Sequence, residues 1–561
     1  MLLAGLLVIV AILRTIQTYR VTAQAFDEPC HVAAAIELLD KHTYTLDPVH
    51  PPLARLAIGI PLYFAGERYP RLTAEEAARP NYNVVGNHIL YDDGHYLRNL
   101  VLARCGMLPF LVAISALVFL WTRREFGGLA AVLSVFFLTT TPIVLALSSI
   151  AYTDLVAATT QFAALFTFTI WLREPNKRST LLLGLALGLA VASKLTSFIF
   201  LPAAAAAIAG TRLLLNVSPD PNANKLQWRQ LAFAMVMALL VLWAGYGFSV
   251  GHVQAGMGLS LESMPSFQHF PAPVGSLARA MVLKDALIPA PSFLRGVATA
   301  WVLNQTSPPA YLLGHVKAGG WWYFFLVGIA FKSPLPFLIL CGVGLLSLAA
   351  SAREKGWSSL APAASVLAIL VITLPVKYNA GTRHVLVVFP LLAMIAGQGG
   401  AYLWLSAINA WDWKRLALVL LLLWHGIESA RARNDFISYF NELAGRDPSR
   451  VMVAGCDLDC GQDIFRLAKE LQARNIRHFS LAVWSSADMQ RMGLPEFEVL
   501  HPYQPATGWL AISARSFRFG DVLHESYPPD AFGWIAKFQP VAYVGRTIRL
   551  YYIPEQSPLQ P

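Results

Sequence analysis

The chain has 561 residues, of which 56% are hydrophobic and only 14% charged, and its mean hydropathy is +0.51. A soluble domain carries about 25% charged residues, so this balance excludes an ordinary soluble protein and reads as a polytopic helical membrane protein. The net charge of +10 does not point to nucleic acid, because most basic residues sit in short loops between apolar runs, where they report topology.

The first apolar stretch, 1–19, ends before Ala23-Gln24-Ala25, which resembles a signal cleavage site. It has no basic leader, so an uncleaved anchor is the expectation, with a few N-terminal residues suspected to be absent. A long polar loop, about 20–98, follows. It opens with FDEPCH at 26–31. An acid before Pro29 is a good helix start, and Val32, Ala33, Ile36 and Leu39 form an apolar stripe at helical spacing. His50-Pro51-Pro52 then starts LARLAIGIPLYFAG, too short to span comfortably. Two interfacial helices are expected here, holding polar groups at the bilayer surface.

With the first stretch, about eleven apolar segments are expected to cross the membrane: near 1–19, 99–121, 127–147, 150–171, 180–193, 195–213, 230–250, 321–349, 358–376, 384–402 and 415–428. As one helix, 180–213 would be ~50 Å long against a ~30 Å hydrocarbon core. Ser193-Lys194 is therefore read as the tip of a hairpin. Arg123, Arg124, Arg173, Lys177, Arg178, Lys225, Arg229, Arg353, Lys355, Lys414 and Arg415 fall on one side, and Lys194, Lys377 and Arg383 on the other. The positive-inside rule then puts the N-terminus in the cytoplasm. The loops at about 20–98 and 251–320 and the C-terminal tail lie outside. Residues 1–430 form the membrane domain and 431–561 a small external α/β domain. In that tail RVMVAGCDLD, HFSLAVWSS, GWLAISARSF and AYVGRTIRLYYIP read as strands and GQDIFRLAKELQAR as an amphipathic helix.

Charges inside apolar runs are costly and are functional candidates. Asp154 stands at the external end of its span in AYTDLV. Lys194, Lys332 in FKSPLP, and Arg383-His384 are cations on different spans at one depth, able together to hold a phosphate or diphosphate. Alone, each reads equally as a side chain snorkelling to headgroups, and Asp27 alone as a helix cap. Asp27, Glu28, His31 and Asp154 offer hard or borderline ligands for a divalent metal. Their spacing is not diagnostic, so metal dependence stays open. Trp301, Tyr311, Trp321 and Trp322 read as interfacial belt residues or as sugar-stacking platforms.

FDEPCH, HPPLARL, YTDL, ASKLTSF, GGWWYFFLVGIAFKSPLP and YNAGTRHVLVVFP together resemble the GT-C superfamily of polyprenyl-phosphate-dependent glycosyltransferases, in the branch of protein O-mannosyltransferases and lipid A aminoarabinose transferases. The tail segment ISYFNELAG…DLDCGQDIFRLAKEL is similar to the external domain of many bacterial members. Those often carry tryptophan where this chain has Cys460. The resemblance implies a sugar donor linked to a polyprenyl phosphate, a protein or glycolipid acceptor reached from the non-cytoplasmic face, and a bacterial inner membrane location. It implies Asp27 as catalytic base, Glu28 extending the acidic pair and Asp154 as a second acid. Lys194, Lys332, Arg383 and His384 would face the donor phosphate, and His31 and His50 belong to the substrate loop. A phosphate leaving group needs charge neutralisation more than a proton donor, and the acceptor needs one aimed carboxylate. The competing class is a lipid or solute transporter or flippase, which also buries charges and breaks helices but usually shows an internal repeat, absent here. Cys456 and Cys460 are expected to be unpaired, and Asp459 to cap the following helix.

Overall fold

The computed structural model describes residues 1–215, 221–253, 275–276, 280, 284–409, 411–453, 455–523 and 525–555. The loop expected at about 251–320 lies partly outside these residues. Each apolar segment of the sequence carries helix, from Leu2–Thr18 to Trp413–Ala432. Among the described residues, five helices are long and apolar enough to cross a membrane, or seven if each of two bent pairs is one span. Leu2–Thr18, Pro52–Phe64 and Trp357–Thr373 are shorter apolar helices.

The breaks have local causes. Helix Lys177–Ser193 ends where Lys194 turns extended (φ −159°, ψ 138°), and helix resumes at Ser197, so the chain breaks where the length argument put a break. Gly128–Thr140 and Pro142–Ser148 bend by 63°, and Phe324–Lys332 and the helix beginning at Leu335 by 112°. In both, the residue before a proline, Thr141 or Ser333, leaves the helical region (ψ 119° and 136°), as the proline ring requires. Lys332 thus sits at a sharp corner and not within a continuous span.

The first loop contains the two expected helices, Glu28–Ile36 and Pro52–Phe64. The first continues through one π turn, Glu37–Lys41. A surface helix with one apolar stripe is not what forms, however: all nine residues Glu28–Ile36 are buried. Small residues make this possible. A Cβ on Gly86 would meet the Pro29 carbonyl oxygen at 2.1 Å, and one on Gly59 would meet Ala35 Cβ at 2.6 Å. Helices on two sides therefore close directly onto the Pro29–Ala35 backbone, and that packing fixes where Asp27 stands.

The tail contains a five-stranded mixed sheet, in spatial order Ala542–Val544, Ile548–Ile553, Gly508–Ser513, His478–Ala482 and Glu496–Val499. The first two pairings are antiparallel and the last two parallel. Ile464–Ala473 is the expected helix. RVMVAGCDLD is not a strand; its described residues form irregular structure with turns, and its Val451 carbonyl and Asp457 bind Leu313 and Thr382 outside the tail. The short strand Glu496–Val499 was not foreseen. Cys456 and Cys460, expected apart, form a disulfide, the turn bringing their Cα atoms to 4.7 Å. Asp459 does not cap the next helix either. Asp463 occupies that position, and Asp459 accepts from the Gly461 and Arg515 N–H groups. The tail docks through backbone hydrogen bonds from Ala23 N–H to Gln462 O and from Asn441 N–H to Phe331 O. One apolar core runs from Tyr152 and Val388 to Leu458 and Phe479.

Candidate active site

Four charges from four segments meet where the first loop touches the membrane helices. Asp27 comes just before its helix, Asp154 begins helix Asp154–Arg173, Lys194 follows the end of helix Lys177–Ser193 and Arg383 lies in the 3₁₀ turn Thr382–Val385. Arg383 Nη1 donates to Asp27 Oδ2 at 2.9 Å and lies 4.0 Å from Asp154 Oδ2. Lys194 Nζ donates to Asp154 Oδ1. The Asp154 carboxylate also sits in the first turn of its helix, where the peptide dipoles favour an anion.

Asp27 has the N-cap position of helix Glu28–Ile36 yet makes no side-chain cap hydrogen bond. Its carboxylate turns to Arg383 instead. Its side chain is 32% exposed, against 16% for Arg383, 7% for Lys194 and 1% for Asp154. Asp27 is therefore the carboxylate of this group that a second molecule can reach.

Tyr152 organises the centre. Its Oη accepts the Asp27 N–H at 2.9 Å, and its ring lies 4.9 Å from the Arg383 guanidinium carbon, a cation–π contact. His31 meets the Tyr152 ring edge-on at 5.4 Å and the His50 ring at 5.3 Å. Burial holds the imidazole of His31 well below its ordinary range, with Arg55 adding to the effect. Burial likewise lowers His50 to about 4, with Arg55 and Lys194 opposing protonation and Asp47 and Asp154 favouring it. His384 Nε2 is buried with no hydrogen-bond partner. His31 and His50 are neutral at pH 7, and the positive charge at the site belongs to Arg383 and Lys194.

Glu28 has a different place. Its two oxygens accept from Arg104 Nε and Nη2 at 2.8 and 2.7 Å and from the Ala25 and Ala151 N–H groups at 2.7 Å. Both charged side chains are fully buried. Glu28 ties the loop to the chain just ahead of Tyr152 and Asp154. Lys332 is also committed elsewhere: its ammonium donates to the carbonyls of Ile437, Tyr439 and Asp457. The structure brings Asp27, Asp154, Lys194 and Arg383 together, with His31, His50 and His384 around them, and ties Lys332 to the tail. Trp322 is exposed, whereas Tyr311 is buried in the hairpin Ala310–Leu312/His315–Lys317.

Sequence reasoning passed over Tyr152, Arg104, Arg55 and Asp47. Arg55 pairs with Asp47 and lies beside Cys30 and His31, bracing the loop from below. The signal for Arg104 was available, since it stands in the apolar run LVLARCGMLPF. Among the described residues, no three His, Cys, Asp or Glu side chains form a metal-binding group. Glu28, with both oxygens taken by Arg104 and backbone N–H groups, does not fit a ligand set with Asp27, His31 and Asp154.

These features define a helical membrane protein with a paired-charge site at one end of its helices. Residues 100–245, about a quarter of the chain, match the family described as dolichyl-phosphate-mannose-protein mannosyltransferase, which bears out the resemblance to the polyprenyl-phosphate glycosyltransferases over that segment. No curated protein sequence matches the chain. Among solved structures it is similar to ArnT from Cupriavidus metallidurans bound to undecaprenyl phosphate, at 14% identity over 97% of each chain and a TM-score of 0.47. It is similar also to the archaeal oligosaccharyltransferase AglB from Archaeoglobus fulgidus, at 15% identity over 77% of this chain and 55% of that one, with a TM-score of 0.46.

Proposed function

We propose that the protein is a membrane glycosyltransferase that moves a sugar from a polyprenyl-phosphate donor to a protein or glycolipid acceptor. The observation that carries this reading is the Asp27 carboxylate, turned from its helix cap to Arg383 and left partly open to a second molecule. The family match over 100–245 covers Asp154 and Lys194 and supports the same chemistry.

In this reading Asp27 takes the acceptor's proton as its oxygen or nitrogen attacks the sugar carbon. Arg383 and Lys194 neutralise the phosphate as the carbon–oxygen bond to it breaks. Asp154 keeps the two cations in place, and His384 offers its free Nε2 to the donor. Glu28 and Lys332 anchor the surrounding segments and touch neither substrate. About eleven spans, a cytoplasmic N-terminus and an external domain 431–561 in a bacterial inner membrane complete the proposal.

The test is sugar transfer by the purified protein in vesicles from a polyprenyl-phosphate-linked donor. Release of the lipid phosphate with formation of a glycosylated acceptor is the expected result. Movement of intact donor between leaflets with no sugar released would replace the enzyme reading by a transporter.

A further inference from the structure

The turn that holds the Cys456–Cys460 disulfide touches both halves of the charge site. Tyr152 Oη lies 3.2 Å from Cys456 Sγ and 3.3 Å from Cys460 Sγ, and the same oxygen accepts the Asp27 N–H. The Cys460 carbonyl accepts the Phe26 N–H at 3.0 Å, one residue before Asp27. Between the two cysteines, both Asp457 oxygens accept the Thr382 N–H at 3.1 Å, one residue before Arg383. Gly455 is pressed on Gly381: a Cβ on Gly381 would meet the Gly455 carbonyl oxygen at 2.2 Å. One short turn thus sets the backbone of the base and of the cation it pairs with.

The bridge spans a sequence separation of only four residues. It constrains the unfolded chain less than a bridge across a long loop does, so its main effect is local, on the shape of this turn. Cys456 is held at φ 61°, a left-handed conformation that few non-glycine residues adopt. Cys456 is only partly buried, while Cys460 is buried, so a small thiol would approach the bridge from the Cys456 side.

The oxidation state also changes what Tyr152 can do. Disulfide sulfurs carry no proton, so the phenol must be the donor to them, leaving its oxygen to accept from Asp27 N–H. Thiols can donate as well as accept, and in the dithiol state they compete with Asp27 N–H for the phenol oxygen.

We infer that the Cys456–Cys460 pair is a redox-controlled positioning element: oxidised, it holds Asp27 and Arg383 in working register, and reduced, it releases both. In the reducing direction a dithiol gives two electrons and two protons to the sulfur–sulfur bond. Two cysteine thiols and the reagent's own disulfide result, and a disulfide oxidant reverses the exchange. The inference rests on the assignment of Asp27 and Arg383 to the active site.

The experiment uses the full chain in vesicles before and after dithiothreitol. Three cysteines, Cys30, Cys105 and Cys341, are free in the oxidised form, so reduction should raise the thiol count of the unfolded protein from three to the full five. Hydrogen exchange should then quicken in 23–31 and 379–385. Turnover should fall about tenfold or more, as small misplacements of reacting groups do, donor affinity should fall as well because Arg383 is released, and both should recover on reoxidation. The C456S/C460S double variant should behave as the reduced protein does and ignore dithiothreitol. Five thiols with unchanged exchange in both segments would overturn the inference. So would three thiols after reduction, or a double variant with wild-type exchange and turnover. An oxidised protein that transfers no sugar would instead sink the proposed function, while the exchange comparison would still decide this point.

Discussion

Arg383 stands between two carboxylates, bonded to Asp27 at 2.9 Å and 4.0 Å from Asp154. In the proposed reaction the base is therefore paired with the very cation that a donor phosphate would claim. A phosphate that takes hold of the Arg383 guanidinium weakens its bond to Asp27, which frees that carboxylate to accept a proton from the acceptor.

Asp27→Asn should lower sugar transfer about 10²–10⁴-fold, the range for loss of a positioned base. Thermal stability and binding of a polyprenyl phosphate should change little, because the side chain makes no cap hydrogen bond. Transfer kinetics and a thermal midpoint on one preparation check it. A loss of turnover that merely follows a loss of stability would return Asp27 to a structural role.

Arg383→Gln should weaken donor binding roughly ten- to a hundredfold, since a hydrogen bond to a charged group contributes about 1.5–3 kcal/mol. Arg383→Lys should restore only part of it, because an ammonium cannot spread planar donors between two acids and a phosphate. Titration with a polyprenyl phosphate measures both. Equal affinity in all three proteins would place the phosphate elsewhere.

Glu28→Gln tests anchoring against chemistry. Removing one partner of a fully buried pair leaves the Arg104 charge uncompensated, at a cost of about 3–5 kcal/mol. A large drop in thermal midpoint is expected. Inactivity in a protein of unchanged midpoint would restore Glu28 to the catalytic acids.

Lys332→Met should likewise act on stability. The ammonium it removes serves three tail carbonyls, so donor affinity in the folded fraction should stay near wild type. A selective loss of donor binding would count against this placement.

The pH dependence has a defined sign. His50 falls from 6.5 to about 4 in the folded protein, through burial first. Between those values the unfolded chain binds the proton and the folded chain does not, so this group's contribution is complete above pH 6.5 and is lost as pH falls toward 4 and below. Thermal midpoints should drop less steeply across that window in His50→Gln than in wild type. Parallel curves would show that His50 takes no part.

Much of the site was legible because charge in an apolar run is expensive. Asp154, Lys194 and Arg383 each stand out in sequence for that reason, and Asp27 stands out through FDEPCH. What the sequence leaves hidden is pairing over distance. Nothing local says that Lys332 turns to the tail while Lys194 turns to Asp154, or that Glu28 and not Asp27 is the acid with no exposed surface. Tyr152 looked like any aromatic beside a membrane until its hydroxyl was found against Asp27. RVMVAGCDLD has the composition of a strand, yet its Val451 carbonyl accepts from Leu313 N–H and its Asp457 binds Thr382 N–H and Lys332, distant partners that no local pattern announces. The helices were easier to read, since span length and Ser333-Pro334 or Thr141-Pro142 mark their ends without reference to anything distant.

The corner at Lys332 bears on how the chain is made. Its three carbonyl partners lie 105, 107 and 125 residues further on. At a synthesis rate of ~5–20 residues per second, the ammonium waits roughly 5–25 seconds for them. During that interval a charge destined for full burial lacks the three acceptors that hold it in the finished fold. The broken span therefore cannot take its final place when it leaves the ribosome. It is completed by carbonyls between 437 and 457, so a segment synthesised later closes around a residue inserted before it.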